Sequence, residues 1–467
     1  MVFLFFNGFI CPLVFFQNLR LLLFLLFSFS LSAQQIARLR FDDDFSAFKK
    51  DSLKKEFTDY LKEIRLGKET RLSLGGEWRE QYQSYTHFNF GEVPTDFVTQ
   101  SPYQLMHRTM LHANIELPNG FRVFTQLNST ARFFNPNPIT GQLDQNVLSL
   151  HQLFVDIPFS RQWKLRVGKQ EYSLGLERFV ATREGPNTRT PFYGINLKYH
   201  QKNLQWDAFV SHPIRIKPGV FDDEPTDEIL GGFYLNYRAQ KRMQFEPYYF
   251  YFESDLREYQ FKRGLEKRHT IGLRSFSSSG NWNYDIELAG QMGQFNDLSI
   301  AAFMGVWDFN IALKKAFYVG FSGNYVPGDR SKSDSQLNTF NTLFARPPFG
   351  QTVALNITNT WNFSPYIRYQ DFKKWLVTGR ASFVSRESTV DGIFTPNMTP
   401  ARPILGKNQT SIASDICNIY ALDAQFFPTK HFSFQLELGY CAAGDYLKET
   451  GSGQNVHYYA LRNVYRF

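Results

Sequence analysis

The chain of 467 residues is long enough for two or three soluble domains, but its composition argues against ordinary globular folding. Aromatic residues make up 17% of it, including 49 Phe and 24 Tyr, while the mean hydropathy is negative. Past residue 32, no apolar run approaches the roughly 20 residues that a membrane-spanning helix needs. The net charge is +8, which in a basic soluble protein would suggest a nucleic-acid partner. Nucleic-acid binding is excluded here, because the export signal described next takes the chain out of the cytoplasm.

A secretory signal peptide is predicted at the amino end. An apolar core of Leu, Phe and Ser runs from Leu21 to Leu31 behind Arg20, and a small-residue cleavage site ends at Ala33. We therefore predict that residues 1–33 are removed on export. A retained membrane helix is the alternative, and the strands that follow disfavour it.

Residues 34–70 are the only part of the mature chain without a strand pattern. Apolar side chains recur there at helical spacing, with Ser52 able to cap the start of a helix and Gly67 its end. We predict a short amphipathic periplasmic helix, which either covers the mouth of the fold that follows or forms a solvated lead-in to it. The apolar positions are Leu53, Phe57, Tyr60, Leu61 and Ile64.

Strands of period two begin at Arg71 and are clearest between residues 163 and 213. In the first of them, Trp163, Leu165 and Val167 share one face, and charged or polar residues occupy the other. A wholly apolar face opposite a polar one predicts strands that lie between lipid and water. Short turns alternate with long loops, which is typical of an outer-membrane β-barrel.

Counting turns predicts an all-β fold, a transmembrane antiparallel β-barrel of about 18 strands over residues 71–467. Tight turns are expected at eight places, the first at Pro118-Asn119-Gly120, and both chain ends then lie in the periplasm. Long loops are expected near residues 86–102, 133–147, 176–191, 213–229, 254–268, 292–298, 327–351, 387–411 and 442–455.

The last strand carries a localisation signal. Phe467 is the terminal residue, and aromatic or apolar residues alternate before it on one face. This pattern resembles the recognition signal of the bacterial outer-membrane assembly machinery. It predicts a place in the outer membrane of a Gram-negative bacterium, with membrane lipid and that machinery as partners.

The cysteines do not suggest a metal or a cofactor. Cys417 and Cys441 remain after cleavage and either pair in an oxidising periplasm or stay two isolated thiols. Their predicted strands reach different depths, which favours isolated thiols. No CxxC or Cys/His metal spacing occurs, so neither a metal site nor a cofactor is predicted.

Three motifs resemble a known family: Gly168-Lys169-Gln170-Glu171, Arg183-Glu184-Gly185-Pro186-Asn187-Thr188-Arg189 and Asp207-Ala208-Phe209-Val210-Ser211. Together they resemble the alginate export family of outer-membrane barrels, most closely its Bacteroidetes-type members, over about residues 40–467. The resemblance implies an 18-stranded, monomeric diffusion channel with an arginine-rich constriction.

Two positions depart from the family pattern. Lys169 stands where the family usually has Arg, and Tyr193 where it usually has Asp. Lys lacks the planar fork that binds a carboxylate bidentately, and Tyr193 removes an acid able to anchor a loop. These departures predict weaker polyuronate specificity than in other members.

The two-residue alternation along the predicted strands places charged side chains of both signs in the lumen. One interpretation is a ladder of guanidinium groups that passes an anionic sugar or small anion along the pore. The other is that the arginines pair with lumen acids and brace the wall. The predicted inward residues are Arg79, Arg108, Arg122, Arg132, Arg166, Arg274, Arg380, Arg386 and Arg462, with acids at Glu77, Glu116, Asp156, Asp207, Asp285, Glu287, Asp423 and Glu437.

The third long loop favours anion transport slightly. Its arginines surround Gly185-Pro186-Asn187, a turn sequence that could fold the loop inward as a constriction, and a solvent-exposed loop is the alternative. The pore-lining residues predicted in or beside this loop are Gln170, Glu171, Arg178, Arg183 and Arg189.

Other function classes are weaker. A barrel hydrolase needs a nucleophile, a base and an orienting acid that meet on the outer face, but no Ser-centred motif occurs and His107, His269 and His457 have lipid-facing parity. A TonB-type transporter needs a larger plug than residues 34–70 provide. A general, non-selective porin remains the main alternative to an anion channel.

Overall fold

In a computed structural model of the chain, the strands predicted from the alternating sequence form a closed cylinder. The structure describes residues 37–91, 103–134, 142–239, 243–259, 262–277, 281–331, 333–402 and 411–467. The predicted signal peptide and its cleavage after Ala33 lie outside the described residues.

Eighteen long strands form the barrel, and each pairs antiparallel with its neighbours. Strand β1 also pairs with β18, from Glu77 opposite Arg466 to Thr86 opposite His457, so the sheet has no free edge. The predicted strand number is confirmed. The strands are β1 (Arg71–Thr86), β2 (Tyr103–Glu116), β3 (Arg122–Phe133), β4 (Asn146–Pro158), β5 (Trp163–Gln170), β6 (Phe192–Gln201), β7 (Leu204–Arg215), β8 (Ile229–Arg238), β9 (Gln244–Tyr259), β10 (Lys262–Ser277), β11 (Trp282–Phe295), β12 (Leu298–Lys314), β13 (Phe317–Val326), β14 (Thr360–Gln370), β15 (Trp375–Arg386), β16 (Asp415–Phe426), β17 (Phe432–Ala443) and β18 (Val456–Arg466).

Within the described ranges, three two-residue strands and one α-helix accompany the barrel strands. Ile64–Arg65 pairs with β1, Glu224–Pro225 with β7, and Gln336–Leu337 runs parallel to β12. Helix α1 (Asp445–Thr450) lies in the ninth loop. Among the described residues, no helix has the length and apolar character needed to cross a bilayer.

The side chains of each strand alternate between lipid and lumen as predicted. In β1, Trp78 and Tyr82 are 55% and 38% exposed, whereas Arg79 and Gln81 are fully buried. The exposed rings face lipid, and the buried polar residues face a lumen that other parts of the chain fill. The apolar face of each strand therefore points outward, opposite to the arrangement in a soluble β-protein.

Two predicted long loops are wrong. Residues 254–268 and 292–298 lie mostly in strands, because β9 ends at Tyr259 and β10 begins at Lys262, while only two residues separate β11 from β12. Their charged residues are typical of a loop in the sequence. Strands that extend beyond the roughly 25 Å apolar band meet water on their outer face, so charge is tolerated there.

The predicted amphipathic helix is not confirmed. The segment instead forms short 3-10 turns, among them Ser46–Lys49 and Phe57–Leu61. Phe57 is 80% exposed and Tyr60 57%, so an apolar helix face would find no surface to bury against. Contacts with the barrel fix the chain instead: Asp59 and Glu56 accept hydrogen bonds from Lys430 and His431, at 3.0 and 2.7 Å.

The start of this segment enters the lumen. Phe41 packs edge-on against Phe124 and Phe154, with ring centroids 5.8 and 5.3 Å away. Arg40 is buried and donates hydrogen bonds to the carbonyl oxygens of Gly76 and Phe467, each at 2.8 Å. It therefore ties the first strand to the chain terminus at the closing seam.

Cys417 and Cys441 are free and buried on neighbouring strands. Their depths are closer than predicted, because Cys441 lies opposite Ile419, two positions from Cys417.

Arg40→Ala should destabilise the barrel. The change removes two charge-assisted hydrogen bonds across the seam and leaves Asp43, its ion-pair partner at 2.8 Å, uncompensated. We expect a loss of about 2–3 kcal/mol in the free energy of unfolding, measured by urea titration in lipid vesicles. The exposed Lys50→Ala is the control, and an equal midpoint for both variants would contradict the role of Arg40.

Candidate functional site

Two outer loops fold into the barrel and meet at its centre. The third loop (171–191) and the seventh loop (327–359) pair through Val180 and Phe344, and Arg346 donates its backbone N–H to the Glu177 carbonyl at 3.0 Å. Val180 and Leu343 are fully buried. The predicted inward fold of the third loop is confirmed, and the seventh loop folds inward with it.

Aromatic packing fills one side of the lumen. Phe179 of the third loop contacts Phe340 of the seventh and Phe250 of the wall, with centroids 5.9 and 5.7 Å away. A dry aromatic cluster leaves no room for solute. The open space therefore lies toward the opposite wall. The cluster also includes Tyr172, Phe192, Phe209, Tyr234, Tyr248 and Phe344.

A cluster of buried charges holds the third loop against β1 and β2. Glu184 forms ion pairs with Arg108, with Arg189 at 2.5 Å and with Arg79 at 3.6 Å. Glu77 accepts a 2.9 Å hydrogen bond from Arg108 Nε and lies 3.7 Å from Arg189. Burial opposes ionisation of Glu184, but the surrounding guanidiniums outweigh it and hold its pKa well below the usual range. The carboxylate therefore stays charged at neutral pH.

The Gly-Pro-Asn turn is anchored to the wall through Asn187. This residue is fully buried, and its amide Nδ2 lies 3.0 Å from the carbonyl oxygens of His107, Ala131 and Asp144. Its backbone N–H reaches the Asp144 carboxylate at 3.3 Å. The turn chemistry read from the sequence thus serves to fix the loop inside the barrel.

The remaining space is divided by a neck. A cavity of about 320 Å³ opens on the long-loop side, and one of about 590 Å³ lies toward the tight turns. Both are lined by Gly185, Pro347, Gly350 and Gln351. A Cβ atom on Gly185 would come within 2.0 Å of Gln351 Nε2, so a larger residue here would have to displace that flexible side chain. Contact between these two loops narrows the lumen between the two cavities.

A third cavity of about 350 Å³ borders the neck on the tight-turn side. Arg346 lines both this cavity and the 590 Å³ cavity, and its side chain is exposed. Among the described residues it makes no ion pair. Arg368 and Arg380 flank Tyr366 in the third cavity, at 5.0 and 5.3 Å from the ring centroid.

Most predicted pore-lining arginines face inward but are engaged with acids. Arg122 and Arg166 both bind Asp156 at 2.7 Å. Arg274 lies 2.8 Å from Asp285, and Arg178 binds the same carboxylate at 2.9 Å. These contacts support wall bracing at these positions.

Further predicted residues are held by other groups. Arg462 donates to Gln81 at 2.6 Å and lies 3.7 Å from Glu437, while Arg386 binds backbone carbonyls and covers the Tyr446 ring at 3.8 Å. Arg132 faces the lumen and also has an interaction partner.

The flanks of the third loop are equally buried. Glu171 lies 3.0 Å from His151 Nε2, and Gln170 is fully buried beside it.

Arg183 differs from the paired wall arginines in its contacts. It lines the 320 Å³ cavity and donates to Asn397 at 2.5 Å, without an ion pair among the described residues. Burial, followed by the charge of Arg257, lowers the pKa of Arg183 to about 10, so it remains a cation at neutral pH.

The sequence analysis did not identify Arg346, Arg368 or Gln351. A usable signal was present in Arg346-Pro347-Pro348, since two prolines after a charged residue fix the backbone of a long loop. The two-residue alternation places Arg368 on the lumen face, but few turn-forming residues mark the strand ends in the region after residue 352.

The alginate export family model matches residues 70–460. The chain belongs to the alginate export family. No curated protein is significantly similar to it in sequence.

The fold of this family member is similar to that of solved porins. OccK11 (OpdR) of Pseudomonas aeruginosa has 12% identity and a TM-score of 0.55, covering 85% of this chain and 96% of its own. A BenF-like porin from Pseudomonas fluorescens Pf-5 has 9% identity and a TM-score of 0.57, covering 85% and 98%. At such identities the likeness shows the fold alone. The family and the barrel together indicate an outer-membrane channel.

The two departures from the family motif lie away from the neck. Tyr193 is 52% exposed on the outer face of β6, and Lys169 lies 3.6 Å from Asp223. Neither side chain lines the three cavities described above. The weaker polyuronate specificity inferred from them stays a prediction.

Glu184→Gln should loosen the third loop. Removing this carboxylate leaves Arg79, Arg108 and Arg189 close together with less compensating charge, and breaking a buried ion pair costs about 3–5 kcal/mol. We expect a larger and noisier single-channel conductance in planar bilayers. Glu224→Gln, a change at an exposed acid of the fourth loop, is the matched control. Unchanged conductance in the Glu184 variant would show that other contacts hold the loop.

Proposed function

We propose that this alginate export family channel conducts anionic solutes by diffusion, either uronate oligosaccharides or small anions. The observation that carries the proposal is the position of Arg346. Its exposed guanidinium lines two cavities beside the neck and has no ion-pair partner among the described residues. A solute on the tight-turn side of the neck therefore meets a cation without an acidic partner among the described residues.

The charge around the 350 Å³ cavity supports an anionic solute. Arg178, Arg346, Arg368 and Arg380 line it, against Asp285 and Asp308. Asp285 is already bound to Arg178, and Asp308 accepts a hydrogen bond from Tyr366 at 2.7 Å. The net positive charge of this cavity therefore remains available to a solute.

The 590 Å³ cavity is nearly neutral by comparison. Arg38 pairs with Glu177 at 2.7 Å, and Arg466 pairs with Glu77 at 2.8 Å. Its acids Asp423 and Glu437 offset Arg346 and Arg462. An anion is thus expected to prefer the route past Arg368 and Arg380.

Guanidinium chemistry suits carboxylates. The planar fork of Arg donates two parallel hydrogen bonds to one carboxylate, and this geometry is lost with Lys. The cavity volumes lie within the roughly 300–1,000 Å³ typical of small-molecule sites. A uronate with one or two sugar rings is therefore a reasonable solute class.

Export and assembly complete the proposal. Removal of residues 1–33, recognition of the strand that ends at Phe467 and action as a monomer are expected of this channel. A general, non-selective porin is the second candidate, and the pairing of most wall arginines with acids favours it.

Arg346→Glu should shift the permeability ratio toward cations. The change reverses a charge beside the neck that has no ion-pair partner among the described residues, and narrow rings of charge set pore selectivity. Reversal potentials in a salt gradient measure the effect, and Arg346→Lys should retain most of the wild-type preference. Arg161→Glu, on the exposed turn between β4 and β5, is the control. Equal ratios for the wild type and Arg346→Glu would favour the non-selective porin.

Uronate oligosaccharides should interrupt the ion current more than neutral oligosaccharides of equal length. Bidentate binding to free guanidiniums lengthens the residence time of a carboxylate, so blocking events should last longer. Single-channel recordings with both sugars added on the same side give the dwell times. Indistinguishable dwell times would restrict the solute class to small anions.

A further inference from the structure

A group of large apolar side chains is exposed on residues 49–68, here named the rim segment, which precede the barrel at its tight-turn end. The members are Leu53, Phe57, Tyr60 and Leu66, and their exposed fractions lie between 47% and 80%. Asp59, Lys62 and Glu63 of the same segment are buried against the barrel. The rim segment therefore directs charged side chains toward the barrel at these positions and presents apolar ones to its surroundings. Such a group of exposed apolar residues marks an interaction surface.

The first half of the rim segment lies beside the lipid-facing side of the barrel wall. His431, in the tight turn before β17, has its Nε2 atom 2.7 Å from Glu56 Oε2. The His431 ring is centred 5.7 Å from that of Tyr465, which packs at 4.7 Å against Phe432. Phe432 is 41% exposed on the lipid-facing side of β17. Phe57, the most exposed member of the group, follows Glu56 directly and so begins next to this contact.

The end of the rim segment extends the lipid-facing sheet itself. Ile64 pairs with Leu72 of β1, on the edge of β1 that the shorter β18 leaves open. Leu72 pairs in turn with Ile115, and Ile115 with Val123, so that these apolar side chains form one row on the outer face. Ile64 therefore continues a row that contacts lipid. Leu66 follows two positions later and is 58% exposed.

Both ends of the rim segment thus join the surface that the barrel presents to lipid, and the exposed side chains lie between them. The tight turns of an outer-membrane barrel lie at its periplasmic end. The leaflet beside the rim segment is therefore the inner one. A protein that covered Phe57 would have to displace the lipid that contacts Phe432 and Ile64 on either side of it.

The charge of the rim segment suits an anionic leaflet. Residues 49–68 contain seven Lys or Arg and four Asp or Glu, and two of these acids, Glu56 and Asp59, already pair with Lys430. Amphipathic segments with Phe, Tyr and Leu on one side and Lys around them lie in the membrane interface, and clusters of Lys and Arg attract anionic lipids. The exposed cations are Lys49, Lys50, Lys55, Arg65 and Lys68.

We propose that the rim segment is an interfacial anchor that binds anionic phospholipid of the inner leaflet beside the barrel. Phe57, Tyr60 and Leu66 enter the boundary between headgroups and acyl chains, and the surrounding ammonium groups bind lipid phosphates. The anchor is separate from the channel, because no residue of the rim segment lines the three cavities described above.

The test places a photoreactive amino acid in the full barrel, reconstituted in vesicles of phosphatidylethanolamine and phosphatidylglycerol. With Phe57→p-benzoylphenylalanine, irradiation should add the mass of one phospholipid to the peptide that contains residue 57, as read by mass spectrometry. The matched controls are neighbours on one strand: the same change at Phe432 faces lipid, and at Ser433 it faces the 590 Å³ cavity. A yield at Phe57 close to that at Phe432 is expected, and a yield as low as that at Ser433 would overturn the proposal.

A second arm tests the charges. Phosphatidylglycerol should exceed its share of the vesicles by about twofold or more among the adducts at Phe57, and it should fall to that share when Lys49→Glu, Lys50→Glu and Lys55→Glu are combined. Adducts that match the vesicle composition before these changes would contradict binding of anionic lipid. Retained heat-modifiable migration on gels would confirm that each variant is folded.

The same substitution at Phe57 in irradiated cells separates lipid from a protein partner. A lipid adduct in isolated outer membranes is the expected result. A barrel that is crosslinked to another protein and not to lipid would overturn the proposal and assign this surface to a periplasmic partner. Ion conduction is measured separately, so neither result bears on the channel function.

Discussion

Closure of the backbone ladder is the constraint on which the rest of the structure depends. A bilayer offers no water to unpaired N–H and C=O groups, so a strand can cross it only when both of its edges are paired. The continuous register between β1 and β18 meets this requirement. Once the sheet is closed, the two-residue period decides that Trp78 contacts lipid and that Arg79 enters the lumen. Arg40 reinforces the same seam from inside.

Charges inside the lumen serve two purposes that compete. Arg79, Arg108 and Arg189 hold the third loop through Glu184, and a guanidinium engaged in this way is not free to bind a solute. The loops in turn define the neck at Gly185 and Gln351. What remains for transport is the small set of cations that the fold leaves without acids, with Arg346 at its centre. Bracing therefore accounts for most of the predicted inward arginines, and the proposed anion path depends on the few that remain.

Much of the fold could be read from the sequence because its determinants are local. Strand number and side-chain parity depend on alternation within about ten residues, and the tight turns on a few turn formers. Charged residues between 254 and 268 misled the assignment, since the sequence does not show where the membrane ends. The amphipathic pattern at Phe57 and Tyr60 misled it as well, because contacts with Lys430 and His431, distant in the chain, decide the local conformation.

The contacts of each lumen side chain could not be predicted from the local sequence. Arg108 and Glu184 are 76 residues apart, and only the folded loop brings them together. Lipid-facing parity of His107 was predicted, but its contact with Glu80 depends on the register between β1 and β2.

The most direct test of the central claim is the zero-current potential of the unmodified channel across a planar bilayer separating two concentrations of KCl. A channel guided by uncompensated arginines gives the sign expected for chloride crossing faster than potassium. A potential of opposite sign, or one near zero, would contradict an anion-guiding lumen while leaving the closed barrel intact.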